Sequence, residues 1–123
     1  MLVPAGYDNT KPISVSATYN KFTPSTRYSI TKTGRVIVAS IHGSATSNIS
    51  AEEKIITLSN IKILNSYLAV GQAGSDVITF TARMDNGNAI IQTNSAVASG
   101  VIFRGEIVMI SDEWYCKYVT KRI

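Results

Sequence analysis

The chain has 123 residues, a hydrophobic fraction of 45%, a charged fraction of only 16% and a formal net charge of +4. This length suits a single domain with one core, and so low a charge, against the ~25% usual in soluble domains, favours an extracellular or virion surface. Lys and Arg are scattered along the chain, which argues against a nucleic-acid partner. No apolar run approaches the roughly 18 residues of a membrane span, so no membrane insertion is predicted.

The N-terminal segment, residues 1–27, is predicted to contain one strand and a connection. Residues 13–19 alternate apolar side chains with Ser and Thr, as a strand with one face towards water does. Residues 28–123 are predicted to form the rest of the same single domain. There Thr33-Gly34 turns a strand at 28–32 into a second strand at 36–41, and apolar residues on both faces of the second strand predict that it is covered on both sides.

Short strands and turns continue through the middle of the chain. Residues 50–53, SAEE, fit a capping box that could begin one helical turn. Four short strands are then predicted, at residues 55–58, 61–64, 67–70 and 77–82. Asp85-Asn86-Gly87-Asn88 separates two further strand-like runs, and Asn-Gly supplies the positive φ angles that a tight hairpin requires. This regular spacing predicts an all-β antiparallel sandwich or barrel.

Residues 101–110 form the longest predicted strand, and apolar side chains occupy both of its faces. A chain with one core therefore needs a second covering layer here. A homo-oligomer would supply that layer, and loops within a two-sheet sandwich are the alternative. The single cysteine, Cys116, rules out an intramolecular disulfide, and its place on one face with Trp114 and Tyr118 favours a small buried core residue over a reactive thiol.

The sequence offers no catalytic or metal-binding motif. His42 is the only histidine, so neither a catalytic triad with a placed acid nor a histidine-rich zinc site is predicted. The acidic pairs Glu52-Glu53 and Asp112-Glu113 are sequence neighbours, and neighbouring residues of a strand point to opposite faces. Unless a turn reorients them, neither pair therefore forms the paired carboxyl groups of a glycosidase. No catalytic residue, metal ligand or cofactor is predicted.

Four segments carry a family resemblance: ITKTGRVIVAS, IITLSNIKILNSYLAVG, FTARMDNGNAIIQT and VIFRGEIVMISDEWY. Their order of strands and turns resembles the C-terminal head domain of phage tail and baseplate receptor-binding proteins, over about residues 28–118. The chain departs from that family at 62–65, where the family usually has a Pro. The resemblance implies a compact, jelly-roll-like β-sandwich, assembled as a homotrimer at the tail tip of the virion. It also implies binding to other tail proteins and to a host cell-wall saccharide.

Saccharide recognition requires an aromatic ring for stacking beside polar groups that satisfy hydroxyls. One short stretch combines both, and its candidate binding residues are Asp112, Glu113 and Trp114. A core role for Trp114 is the alternative. Further candidates on the same logic are Tyr67, Asp85, Asn86 and Asn88.

The sequence leaves two other functions open. The first is a structural virion protein, such as a baseplate or capsid-decoration component, that binds only other proteins. The second is a fragment of a cell-wall hydrolase, which is disfavoured because no two carboxylates share a predicted face.

Overall fold

The computed structural model describes residues 12–21 and 28–112. Within these ranges the chain forms nine β-strands and no helix. The strands are β1 (Ile13–Ser14), β2 (Ala17–Tyr19), β3 (Tyr28–Thr33), β4 (Val36–Ser44), β5 (Lys54–Leu58), β6 (Tyr67–Ala73), β7 (Asp76–Asp85), β8 (Asn88–Thr93) and β9 (Ile102–Ile110). Every strand pair is antiparallel. The predicted all-β antiparallel class is confirmed.

The strands form one curled sheet in the order β1-β3-β4-β9-β6-β7-β8-β5-β2. The outermost strands, β1 and β2, are successive parts of one segment. The Val15 N–H donates to the Ile30 carbonyl and the Ser59 N–H donates to the Ser16 carbonyl, each at 2.9 Å. The first half of this segment is therefore bonded to β3 and the second half to β5. A separate second sheet is absent from the described ranges, because the predicted strand at 13–19 divides its pairing between β3 and β5 instead of joining another layer.

Both predicted glycine turns are confirmed. Gly34 has a φ of 62° in the connection between β3 and β4. In the β7–β8 hairpin, Asp85 pairs with Asn88, and φ is 48° at Asn86 and 82° at Gly87. Two successive positive φ angles are those of a type I′ turn, whose twist matches that of the flanking strands.

The predicted helical turn at 50–53 is instead a tight turn that leads into β5. The Ser50 N–H donates to the Glu53 carboxylate at 2.9 Å, so the capping-box bond made by the Glu side chain is present. Glu52, however, has a φ of 66°. This left-handed conformation is incompatible with the next turn of a right-handed helix, which explains why the prediction was wrong.

The predicted strand at 61–64 is reduced to one isolated bridge, between Ile63 and Ser111. The alternation that suggested it is real, because Ile61 and Ile63 are buried while Lys62 and Leu64 are exposed. A period of two in burial therefore occurs here without a continuous ladder of hydrogen bonds.

The core lies on the inner face of the curled sheet and is mainly aliphatic. Along β4 the buried residues are Ile37, Ala39 and Ile41, and along β9 they are Phe103, Ile107 and Met109. The rings of Phe80 and Phe103 add an aromatic contact, with centroids 6.4 Å apart. On the opposite, outer face of β9, Ile102 and Val108 remain about half exposed. Both faces of this strand are thus apolar, and only one is buried in the single chain.

Thr93 is fully buried in the core, and its hydroxyl has no hydrogen-bond partner in the described part of the chain. An unpaired buried hydroxyl costs about 1–3 kcal/mol. We expect Thr93→Val, which keeps the shape and removes the hydroxyl, to raise the free energy of unfolding by about 1 kcal/mol in urea denaturation. Thr93→Ser is the control, because it keeps the hydroxyl and removes a buried methyl group, and it should destabilise. A Val variant less stable than the parent contradicts this assignment.

Candidate functional site

Three parts of the chain meet at one end of the curled sheet, which we call the hairpin end. They are the β7–β8 turn, the connection at 59–66 and the residues that follow β9. The Asn60 N–H donates to the Asn88 side-chain oxygen at 3.1 Å, and the Asp112 N–H donates to the Lys62 carbonyl at 3.0 Å. The 59–66 connection is therefore bonded to the hairpin on one side and to the end of β9 on the other.

A shallow depression at the hairpin end is lined by Asn60, Lys62, Gly87 and Asp112. Asn60 has a φ of 59°, a conformation that Asn tolerates better than most residues. The ion pairs between described residues are formed by Lys21, Lys54 and Arg83 with Glu53 and Asp85, so none of them engages Lys62 or Asp112. The depression thus presents an ammonium, an amide and a carboxylate, which together donate and accept hydrogen bonds.

Asp112 and the hairpin turn, which are far apart in sequence, were separate candidates for ligand binding, and the structure brings them together. Gly87 and Asp112 line the same depression. Asn88 contributes through its side-chain oxygen, which accepts from the Asn60 backbone and so fixes the wall of the depression. Asn86 is exposed at the tip of the turn. The geometry supports treating these residues as one site.

Asp85, another candidate, has a different environment. Its carboxylate accepts from the Lys54 ammonium at 2.9 Å, and the Arg83 guanidinium lies 3.9 Å away. The hydrogen bond and the charge of Lys54 hold the pKa of the Asp85 carboxyl below its usual value, so Asp85 stays ionised to lower pH. Asp85 therefore links the turn end of β7 to β5 and does not line the depression.

The remaining candidates are not part of the described depression. Tyr67 is half-buried and packs against the core from the start of β6. Glu113 and Trp114 lie outside the described residues, as does Cys116.

Two residues of the depression, Asn60 and Lys62, were not predicted from the sequence. The Ser59-Asn60 dipeptide indicated a turn, but nothing indicated that this turn would lie beside Asp112. Lys62 is one of 12 scattered basic residues, and only the bridge between Ile63 and Ser111 places it there.

Residues 12–21 and 28–112 contain no group of three His, Cys, Asp or Glu side chains arranged to hold a metal ion. The same ranges include no helix with the length and apolar character needed to cross a membrane. In comparisons with known proteins, no family model, curated protein or solved structure matches the chain.

Proposed function

We propose that this chain is a non-enzymatic host-recognition module of a bacteriophage tail and that it binds a host cell-surface saccharide at the hairpin end. In this proposal it acts outside the cell, at the tail tip of the virion, as a homotrimer attached to other tail proteins. The observation that carries the proposal is the convergence of Asp112 with the β7–β8 turn in one depression. The family resemblance of residues 28–118 supports the phage setting.

The depression has the chemistry that sugar hydroxyls require. A carboxylate accepts hydrogen bonds from hydroxyls with the added strength of its charge, and an ammonium donates to ring and hydroxyl oxygens. The backbone of Lys62 is hydrogen-bonded to the backbone of Asp112. The backbone N–H of Asn60 is hydrogen-bonded to the side-chain oxygen of Asn88. Because the backbone that carries these polar groups is held before binding, less entropy is lost when a ligand is bound.

Trp114 follows Asp112 by two residues and is proposed as the ring on which the sugar stacks. A shallow site of this kind gives weak affinity for one saccharide unit. Three linked copies on one polymeric ligand raise the overall affinity by orders of magnitude without new contacts.

The test uses an array of purified bacterial cell-wall polysaccharides, on which the wild-type chain is expected to bind at least one polymer. We expect Asp112→Ala to weaken that binding at least tenfold, which corresponds to about 1.4 kcal/mol. The matched control is Asp76→Ala, because Asp76 is also exposed but begins β7 at the other end of the sheet, and it should bind like the parent. Trp114 is the only tryptophan, so a change in its emission on binding reports on this site.

Three results would contradict the proposal. The first is no binding to any polysaccharide on the array, and the second is equal binding by Asp112→Ala and the parent. The third is release of reducing ends from a bound polymer, which would indicate a hydrolase instead.

A structural virion protein that binds only other proteins is the second candidate. It is favoured by the exposed apolar side chains of Leu68, Val70 and Val77 on the outer face of the sheet, because contiguous exposed apolar residues mark protein interfaces. Polysaccharide binding separates the two candidates, since only the recognition module is expected to bind the array.

A further inference from the structure

The outer face of the sheet carries a set of large aliphatic side chains that the single chain leaves in water. Register places them on one side of β4, β9, β6 and the start of β7, because Gln72 pairs with both Arg104 and Val77, and Val36 pairs with Ile110. We call this surface the outer face. Its exposed apolar residues are Val36, Leu68, Val70, Val77, Ile102 and Val108.

The degree of exposure sets this face apart from ordinary scattered surface residues. Val77 is 72% exposed, Leu68 69% and Val70 66%, and all three lie on two adjacent strands. Burial of each such side chain against a partner is favourable, because it removes apolar surface from water. A contiguous group of them therefore represents a substantial driving force for association.

The charges on the outer face indicate what it binds. Arg104 and Glu106 lie two positions apart on β9, both exposed and on the same side of the strand. Among the described residues neither belongs to an ion pair, and Glu106 accepts a hydrogen bond from the Ser40 hydroxyl at 2.9 Å. A face with one cation and one anion is complementary to a symmetric copy of itself, in which Arg104 of one chain can oppose Glu106 of another.

The distribution of charge on the chain is also consistent with a second copy of the chain as the partner of the outer face. The whole chain carries +4, so two copies repel each other over most approaches. The pair of opposite charges on β9 leaves the outer face without such a surplus, and its neighbours Gln72, Thr79 and Thr81 are uncharged. A second copy can therefore approach the outer face without the repulsion that a surplus of like charge would cause.

We propose that copies of this chain assemble through the outer face, with β9 and β6 at the contact. This inference deepens the homo-oligomeric part of the proposed function and rests on it, but it does not depend on saccharide binding.

The test is the mass of the full chain by size-exclusion chromatography with light scattering at micromolar concentration. The wild type is expected at two or more times the 13.3 kDa protomer mass. Leu68→Lys combined with Val70→Lys should give the protomer mass with an unchanged circular dichroism spectrum. The control is Ile13→Lys, because Ile13 is also apolar and 59% exposed but lies on the edge strand β1, where its pairing with Lys32 places it on the side opposite the outer face, and it should keep the wild-type mass.

A second pair of variants tests the charges without adding lysines to the apolar positions. Glu106→Arg leaves the outer face with two cations and should lower the fraction of oligomer at least tenfold. Arg104→Glu combined with Glu106→Arg exchanges the two charges and should restore it. A monomeric wild type, or a wild-type mass for the double lysine variant, overturns the inference. Failure of the charge exchange to restore assembly overturns the pairing of Arg104 with Glu106.

These results are distinguishable from failure of the proposed function. An oligomeric wild type that binds no polysaccharide leaves the interface in place and removes saccharide recognition. A monomeric wild type that binds polysaccharide removes the interface and leaves recognition in place.

Discussion

Ile107→Lys is expected to abolish the folded state. Ile107 is 2% exposed on the inner face of β9, where it pairs with Ala39 on β4. A lysine there would bury an unpaired ammonium, at a cost of several kcal/mol. Since domains are stable by only about 5–15 kcal/mol, we expect little soluble protein, loss of the β-sheet circular dichroism signal and no cooperative thermal transition.

Val108→Lys is the matched control for Ile107→Lys. Val108 is the next residue along β9, but it is 49% exposed and points to the outer face. Its lysine reaches water, so the variant should melt within a few degrees of the wild type, while it lowers the oligomeric mass if the outer face is the interface. An Ile107→Lys variant that stays folded and only loses its partners would show that the inner face of β9 is an intersubunit surface.

The parts of the fold that the sequence predicted well are those determined by neighbouring residues. A type I′ hairpin turn requires two successive positive φ angles, and Asn86 and Gly87 are of the residue types that adopt them most readily. Gly34 adopts a positive φ angle in the turn between β3 and β4. Apolar residues on both faces of β4 predicted that this strand is covered on both sides, but the single chain buries only one face, and Val36 on the other face is 40% exposed.

The arrangement of the sheet could not be predicted, because it depends on contacts between distant residues. β9 lies between β4 and β6, and no local signal chooses those neighbours. The N-terminal segment leaves β3 and joins β5 at Val15 and Ser16. Serine and valine are ordinary strand residues, so nothing in the sequence indicates a change of partner at this point.

The candidate site was predictable only in pieces for the same reason. Asp112 and the β7–β8 turn each had a local signal, namely a carboxylate beside aromatic residues and an Asn-Gly turn. Their proximity depends on the 59–66 connection, which contacts both. Lys62 belongs to the site only through that connection, so a sequence motif could not identify it.

A pair of glycines in the core gives the second large expected effect. Gly71 on β6 and Gly105 on β9 are directly opposite each other, and the ring of Phe80 from β7 lies against both of them on the inner face. The two glycines leave the space that this ring fills, and Phe80 itself is 1% exposed. Side chains in a protein core are packed as densely as in crystals, so no room remains for an additional methyl group.

Gly105→Ala is expected to lower the free energy of unfolding by about 1–3 kcal/mol, the usual cost of overpacking a core. Its new Cβ would lie 2.5 Å from Cε2 and 3.0 Å from Cδ2 of Phe80, so the ring has to move. Gly71→Ala should cost more, because its Cβ meets the Arg104 backbone carbonyl as well as the Phe80 ring. That carbonyl belongs to the strand paired with β6 and cannot shift without disturbing the pairing.

The two obstacles, the Phe80 ring and the Arg104 carbonyl, can be distinguished by urea denaturation in a Phe80→Leu background. Without the ring, the Cβ of Gly105→Ala has space, so the double variant should be more stable than the sum of the two single changes predicts. Gly71→Ala should remain costly in the same background, because the Arg104 carbonyl is still in place. Strict additivity for Gly105→Ala and Phe80→Leu would mean that the ring is not what excludes a side chain at residue 105. Full rescue of Gly71→Ala would mean that the carbonyl is not an obstacle.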